Sequence, residues 1–200
     1  MFAGKTNGMG ETLFTYLRLG WEHIVSADAL DHQLFLVALI WPFSFRQVRK
    51  VLILVTAFTV GHCLTLALSS MGAIRIPGSI IEFLIPASIF ITAFLQLLGT
   101  GGEKGNNTLF GVTGLFGLLH GLGFAGTLRS LLGREDSMLL PLFGFNTGVE
   151  GGQLFLVILV LGIRFITSRL GENMEKIITM AVLCAVLSGS LWMMWNRIPF

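Results

Sequence analysis

The chain has 200 residues, of which 54% are hydrophobic and only 12% charged, with a mean hydropathy of +0.80. A soluble domain carries about a quarter charged residues, so most of this chain contacts lipid or other apolar helices. A net charge of +2 with no long Lys/Arg cluster argues against a nucleic-acid partner, and two cysteines, Cys63 and Cys184, make no disulfide framework.

The start, MFAGKTNGMGE, is polar and glycine-rich, without the apolar core of a secretory signal. The first true span is then its own insertion signal. Residues 11–25, ETLFTYLRLGWEHIV, are apolar on one side and short for a crossing that needs about 20 residues. They read as a half-helix lying in or dipping into the interface, with Tyr16 and Trp21 as anchors. SADA at 26–29 breaks it and offers Ser26 or Asp28 as an N-cap for the next helix.

Six apolar runs follow, at roughly 29–45, 50–71, 79–99, 108–132, 137–168 and 174–195. The fifth is long for one straight span. Pro141, Gly144, Gly148, Gly151 and Gly152 predict a kink or break inside it, or it extends beyond the membrane. Trp192 and Trp195 read as interface anchors. The expected fold is all-α, a polytopic membrane helix bundle forming one integral domain over 1–200. It has a polar tail at 1–10, an interfacial or re-entrant half-helix and break at 11–28, and about six transmembrane helices at 29–195.

Arg46, Arg49, Lys50, Lys104, Arg164, Arg169 and Lys176 fall on one side, against Arg75, Arg129, Arg134 and Arg197 on the other. The richer side is expected to be cytoplasmic, which puts both termini outside.

Ionisable groups in apolar spans usually face a bundle interior and mark an ion or substrate path. All four histidines sit in or beside such spans. His23 and His32 are nine residues apart, about 900° of rotation on one helix, which places them on opposite faces. They share an ion only if SADA breaks the chain between them. The positive end of the helix dipole favours an ionised Asp31 and a neutral His32, able to bind metal. The bland alternative is capping and anchoring at the interface.

His62 lies mid-span with Thr59, Thr65 and Cys63 nearby, where Cys63 is either a soft ligand or a small packing residue. Glu82 stands four residues before Pro86, which removes the helix bond to its carbonyl. It is placed for a cation or a proton relay, or for a salt bridge to Arg75. His120 is wrapped by Gly111, Gly114, Gly117, Gly121, Gly123 and Gly126, which permit close helix approach and can admit an ion to the ring. Asn146, Glu150 and Gln153 follow i, i+4, i+7, one polar stripe that either joins helices or serves a metal site. Imidazole with carboxylate suits a divalent transition metal. HExxH, CxxC, GxSxG and phosphate-loop patterns are absent.

The segments GWEHIVSADALDHQLF, FTVGHCLTLAL, the one around Glu82, FGLLHGLGFAG and FNTGVEGGQ occur in that order. Together, over about residues 15–170, they resemble the HupE/UreJ family of small bacterial membrane proteins. The resemblance implies a nickel or cobalt permease of the bacterial inner membrane, tied to hydrogenase and urease metal supply. The family's histidine followed by Asp-His falls on His23, Asp31 and His32. Its HG motif falls on His120, and its GVExGQ segment on Glu150 and Gln153. Here the gap before Asp-His is longer and reads VSADAL, and the histidine-rich N-terminal segment of some relatives is absent.

Three functions follow as expectations. The first is a permease in which His23, Asp31 and His32 capture Ni²⁺ or Co²⁺ near the outer surface. His62, His120 and Glu150 then offer deeper ligands, with Glu82, Asn146, Gln153 and Cys63 in support. The second is an intramembrane zinc hydrolase, with Glu82 or Glu150 as the base. The third is a metal sensor or accessory subunit. The bilayer and the metal are the expected partners; a homo-oligomer and a metallochaperone stay open.

Overall fold

A computed structural model describes residues 8–99, 106–132 and 137–199; Lys104 and Arg134 lie outside these. The described residues form seven α-helices and no strand: α1 (Met9–Val25), α2 (Leu30–Ile40), α3 (Val48–Ser70), α4 (Gly78–Leu97), α5 (Asn106–Leu132), α6 (Leu139–Thr167) and α7 (Glu172–Asn196). Helices α3 to α7 are each long and apolar enough to cross a membrane. The chain is a multi-pass membrane protein.

The expected first span at 29–45 is not one straight helix. Helix α2 has 11 residues, about 16 Å of rise against a hydrocarbon core of about 30 Å. It ends before Pro42, which has no N–H to continue the ladder. Helices α1 and α2 are joined by a 65° bend, at the SADA segment. Neither Ser26 nor Asp28 caps α2, whose N-cap is Ala29 with no side-chain bond. Gln33 spans the break instead. Its Nε2 donates to the Ser26 carbonyl at 2.7 Å, and lies 3.3 and 3.4 Å from those of Val25 and Ile24. The two N–H groups of this amide are thereby shared among three carbonyls at the end of α1, which has no helical partners left for them.

Helix α1 does not stand off the bundle; it packs along α6. A Cβ on Gly20 would overlap the Phe145 carbonyl, and one on Gly148 the Leu17 carbonyl. Gly144 faces Leu13 and Gly152 faces Ile24. Tyr16 is therefore buried, while Trp21 stays half-exposed beside Phe155. The contacts advance together in both sequences, so α1 and α6 run parallel. So do α3 and α5, where Gly61 meets Gly114, Gly117 meets Phe58, and Gly121 meets His62. Small residues let backbones touch in this way.

The parallel register decides how α1 and α2 lie. Helices α3, α4, α5 and α6 alternate in direction, so a re-entrant α1–α2 returning to its own side would leave α1 antiparallel to α6. Helices α1 and α2 instead make one broken crossing, the sixth span with α3 to α7. Gly152, against Ile24, is near the middle of α6, so the break lies at mid-depth.

Helix α6 itself is continuous over 29 residues, without the break expected there. Pro141 stands in its first turn, where a missing N–H removes no helix bond. At about 44 Å, α6 is longer than the hydrocarbon core. Helix α2, apolar nearly all round, is the central element and packs on α4, α6 and α7, with Phe35, Leu36, Ala38, Leu39 and Ile40 buried. At its far end Arg164 Nε donates to the Trp41 carbonyl at 3.1 Å and the guanidinium also pairs with Glu175. Trp41 Nε1 donates to Thr179 at 3.2 Å, tying α2, α6 and α7.

Gly72 ends α3 in the left-handed region, φ 78°. Ala73 N–H bonds the Leu68 carbonyl and Gly72 N–H that of Ser69, a Schellman stop that only glycine enters without strain.

Candidate metal centre

The break places His23, in the last turn of α1, against His32, in the first turn of α2. Their ring centroids are 4.5 Å apart. His62, near the middle of α3, is 5.8 Å from His23 and 6.0 Å from His32. His120, near the middle of α5, is 5.1 Å from His32. The glycine contacts between α3 and α5 set the depth of these last two rings. Phe58, Phe35, Phe124 and Phe145 wall the cluster.

Two rings are held by hydrogen bonds that fix the tautomer. His120 Nδ1 lies 2.8 Å from the Phe116 carbonyl. A carbonyl only accepts, so Nδ1 carries the proton and Nε2 of the neutral ring carries the lone pair. His32 Nδ1 lies 2.9 Å from Asp31 Oδ1, which also accepts the His32 backbone N–H. This is the arrangement by which a carboxylate aims a metal-binding imidazole.

Five ring nitrogens have no partner although buried: Nε2 of His23, His32 and His120, and both nitrogens of His62. His32, His62 and His120 are at most 5% exposed. Buried polar atoms are nearly always hydrogen-bonded, so five in one cluster mark a position built for something else. Among the described residues no three His, Cys, Asp or Glu side chains already stand in metal-ligating geometry. The spacing is nevertheless suitable. With a metal–nitrogen bond of about 2.1 Å, two imidazoles on one ion have centroids roughly 4.5–5 Å apart. The centroid separations here, 4.5 to 6.0 Å, begin in that range and extend beyond it.

A cavity of about 820 Å³ adjoins it, lined by His23, His32 and His120 together with Asp31 and Glu82. Glu22, Asp28 and Arg197 line it too. It lies toward the side where α4 begins and α7 ends, the side of both termini. Among the described residues, four carboxylates against one guanidinium favour a cation there.

The other expected site residues lie elsewhere. Glu150 does not line the cavity. It is exposed on α6, next to Val149, which is buried, and within electrostatic reach of half-buried Cys63. Gln153 is buried and accepts from Thr59 Oγ1 at 2.5 Å, with its Nε2 unpaired. Asn146 Oδ1 is buried without a partner. Of this stripe Gln153 meets α3 through Thr59, and none of the three lines the cavity. Sequence reasoning missed Gln33, Glu22, Asp28 and Arg197. A glutamine directly after His32 was a signal for the first. Arg197 had none, because its contact with Asp31 joins the two ends of the chain.

The family model described as HupE / UreJ protein matches residues 3–196. No curated protein and no solved structure matches the chain.

Proposed function

Because the chain belongs to the HupE/UreJ family, we propose that it carries a divalent transition-metal ion, nickel or cobalt, across the bacterial inner membrane. The observation that carries this reading is the group of five unpaired ring nitrogens on four helices, beside an acid-lined cavity. A dication is drawn into the cavity by Glu22, Asp28 and Glu82. It meets His32 and His120, whose lone pairs are already aimed, and then His23. His62, behind them, supplies a deeper donor. Neutral imidazoles bind borderline metals well, yet a carrier must also release its cargo, and a nitrogen-rich site with one aimed carboxylate meets both needs. A ligand site at a helix break in mid-membrane is a common transporter device.

The excess of Lys and Arg on the far side orients the chain. The cavity then opens to the periplasm, with both termini, while the Arg164–Trp41–Glu175 tie closes the cytoplasmic end. This is an outward-facing state. Glu150 and Cys63 take no part in capture on this reading.

Uptake of radiolabelled Ni²⁺ and Co²⁺ into proteoliposomes of the pure protein tests it. Flux is expected with wild type and is expected to fall to the level of protein-free vesicles with His32→Ala and His120→Ala. Equal flux in wild type and variants sinks the reading. A zinc hydrolase is a second reading, because Glu82 lines the cavity beside three imidazoles and a carboxylate is the usual base for zinc-bound water. In that case the same vesicles hold Zn²⁺ without accumulating it.

A further inference from the structure

Among the described residues Arg197 is the one Arg or Lys side chain lining the cavity. It follows the last turn of α7, and its Nη1 lies 3.7 Å from Asp31 Oδ2. Asp31 Oδ1 is engaged by His32, through both the backbone N–H and the ring. The two oxygens of one carboxylate therefore face opposite duties. One aims the imidazole, and the other faces a positive charge carried in from the far end of the chain. Glu22 is occupied by Arg18 at 2.7 Å, while Asp28 and Glu82 are exposed.

We propose that Arg197 is a tethered counter-cation: its guanidinium holds the outer face of Asp31 until a dication displaces it, and so sets how readily cargo is captured. This rests on the transport reading above. The geometry fits a contact made to be given up. At 3.7 Å the pair is longer than a hydrogen bond, and its guanidinium side is partly open to water, which keeps the attraction weak. The side chain sits at the last turn of the last helix, so it swings away without disturbing the bundle. Asp28 and Glu82, in the same cavity, are alternative partners once it leaves. With Arg197 in place the Asp31 charge is balanced in the absence of cargo, and a monovalent cation gains little by replacing a guanidinium. A dication brings twice the charge and the imidazole lone pairs as well.

Equilibrium dialysis of Ni²⁺ against the full-length protein in detergent micelles reads the competition without requiring flux. Arg197→Gln is expected to tighten Ni²⁺ binding about fivefold, the order of one weak ion pair. In proteoliposomes it is expected to lower KM by a similar factor without raising the maximal rate. Arg197→Ala is expected to match it, and Arg197→Lys to stay within about twofold of wild type. Arg75→Gln, a charge on the same side outside the cavity, is expected to change neither value. Binding that is unchanged or weaker in Arg197→Gln and Arg197→Ala overturns the proposal, as does an equal effect from Arg75→Gln. A wild type that neither binds nor carries the metal overturns the transport reading instead. A wild type that does both, beside an unaltered Arg197→Gln, overturns only the role of Arg197.

Discussion

Asp31 and His32 are neighbours in sequence, and both stand in the first turn of α2, where the His32 backbone N–H has no helical partner and donates to the same carboxylate oxygen that meets the ring. The bond holds the proton on Nδ1 and leaves Nε2 bare. Asp31→Asn keeps the size but removes the charge, and its amide can present N–H groups where only an acceptor is useful. Ni²⁺ affinity is expected to fall about 10- to 100-fold, the usual effect of losing such an orienting group, measured by equilibrium dialysis. Imidazoles at His23, His32, His62 and His120, with Asp31 beside them, were legible from four histidines in apolar runs. What was not legible was partnership across the fold. Glu150 sits in an apolar run as they do, but the helical face it occupies is set by the glycines beside it. Gly148 and Gly152 turn the other face of α6 toward α1, and that choice is made by packing rather than by pattern.

Helices α3 to α7 were legible to within a few residues, because each is a long apolar run closed by Pro, Gly or charge. Where expectation failed, length and contact explain it. The run at 29–45 contains Pro42, so its helical part is too short to cross alone, and α1 is recruited as the other half of the span. The break expected at SADA is present between α1 and α2, whereas α6 is continuous, since a proline in a first turn breaks nothing. Gly144, Gly148 and Gly152 of α6 serve close approach to α1. A Cβ on Gly148 would overlap the Leu17 carbonyl, whereas one on Gly126 would meet nothing. Gly148→Leu is expected to separate α1 from α6 and to lower the detergent-melting temperature by several degrees, with loss of Ni²⁺ binding as His23 moves. Gly126→Leu is expected to leave both within error. Thermal scans and dialysis on the two variants check this, and similar behaviour of both would remove the contact as a determinant.

Six crossings place the two ends of the polypeptide on one side of the bilayer, and the parallel pairing of α1 with α6 requires it. Single cysteines at Met9 and Ile198, in a chain whose own Cys63 and Cys184 are replaced by alanine, are expected to react with a membrane-impermeant thiol reagent from the same face. On the orientation proposed above, that face is expected to be the periplasmic one. Labelling from opposite faces would mean that α1 and α2 form no crossing.

The glycine contacts have a mechanical outcome. Backbone pressed on backbone leaves no layer of side chains to slide, so α1 with α6 and α3 with α5 each behave as a stiff beam. His23 rides on one beam, and His62 and His120 ride on the other. On the transport reading, a tilt between the beams carries His62 and His120 away from His23 together, so a bound ion loses those donors as a group, while His32 on α2 belongs to neither beam.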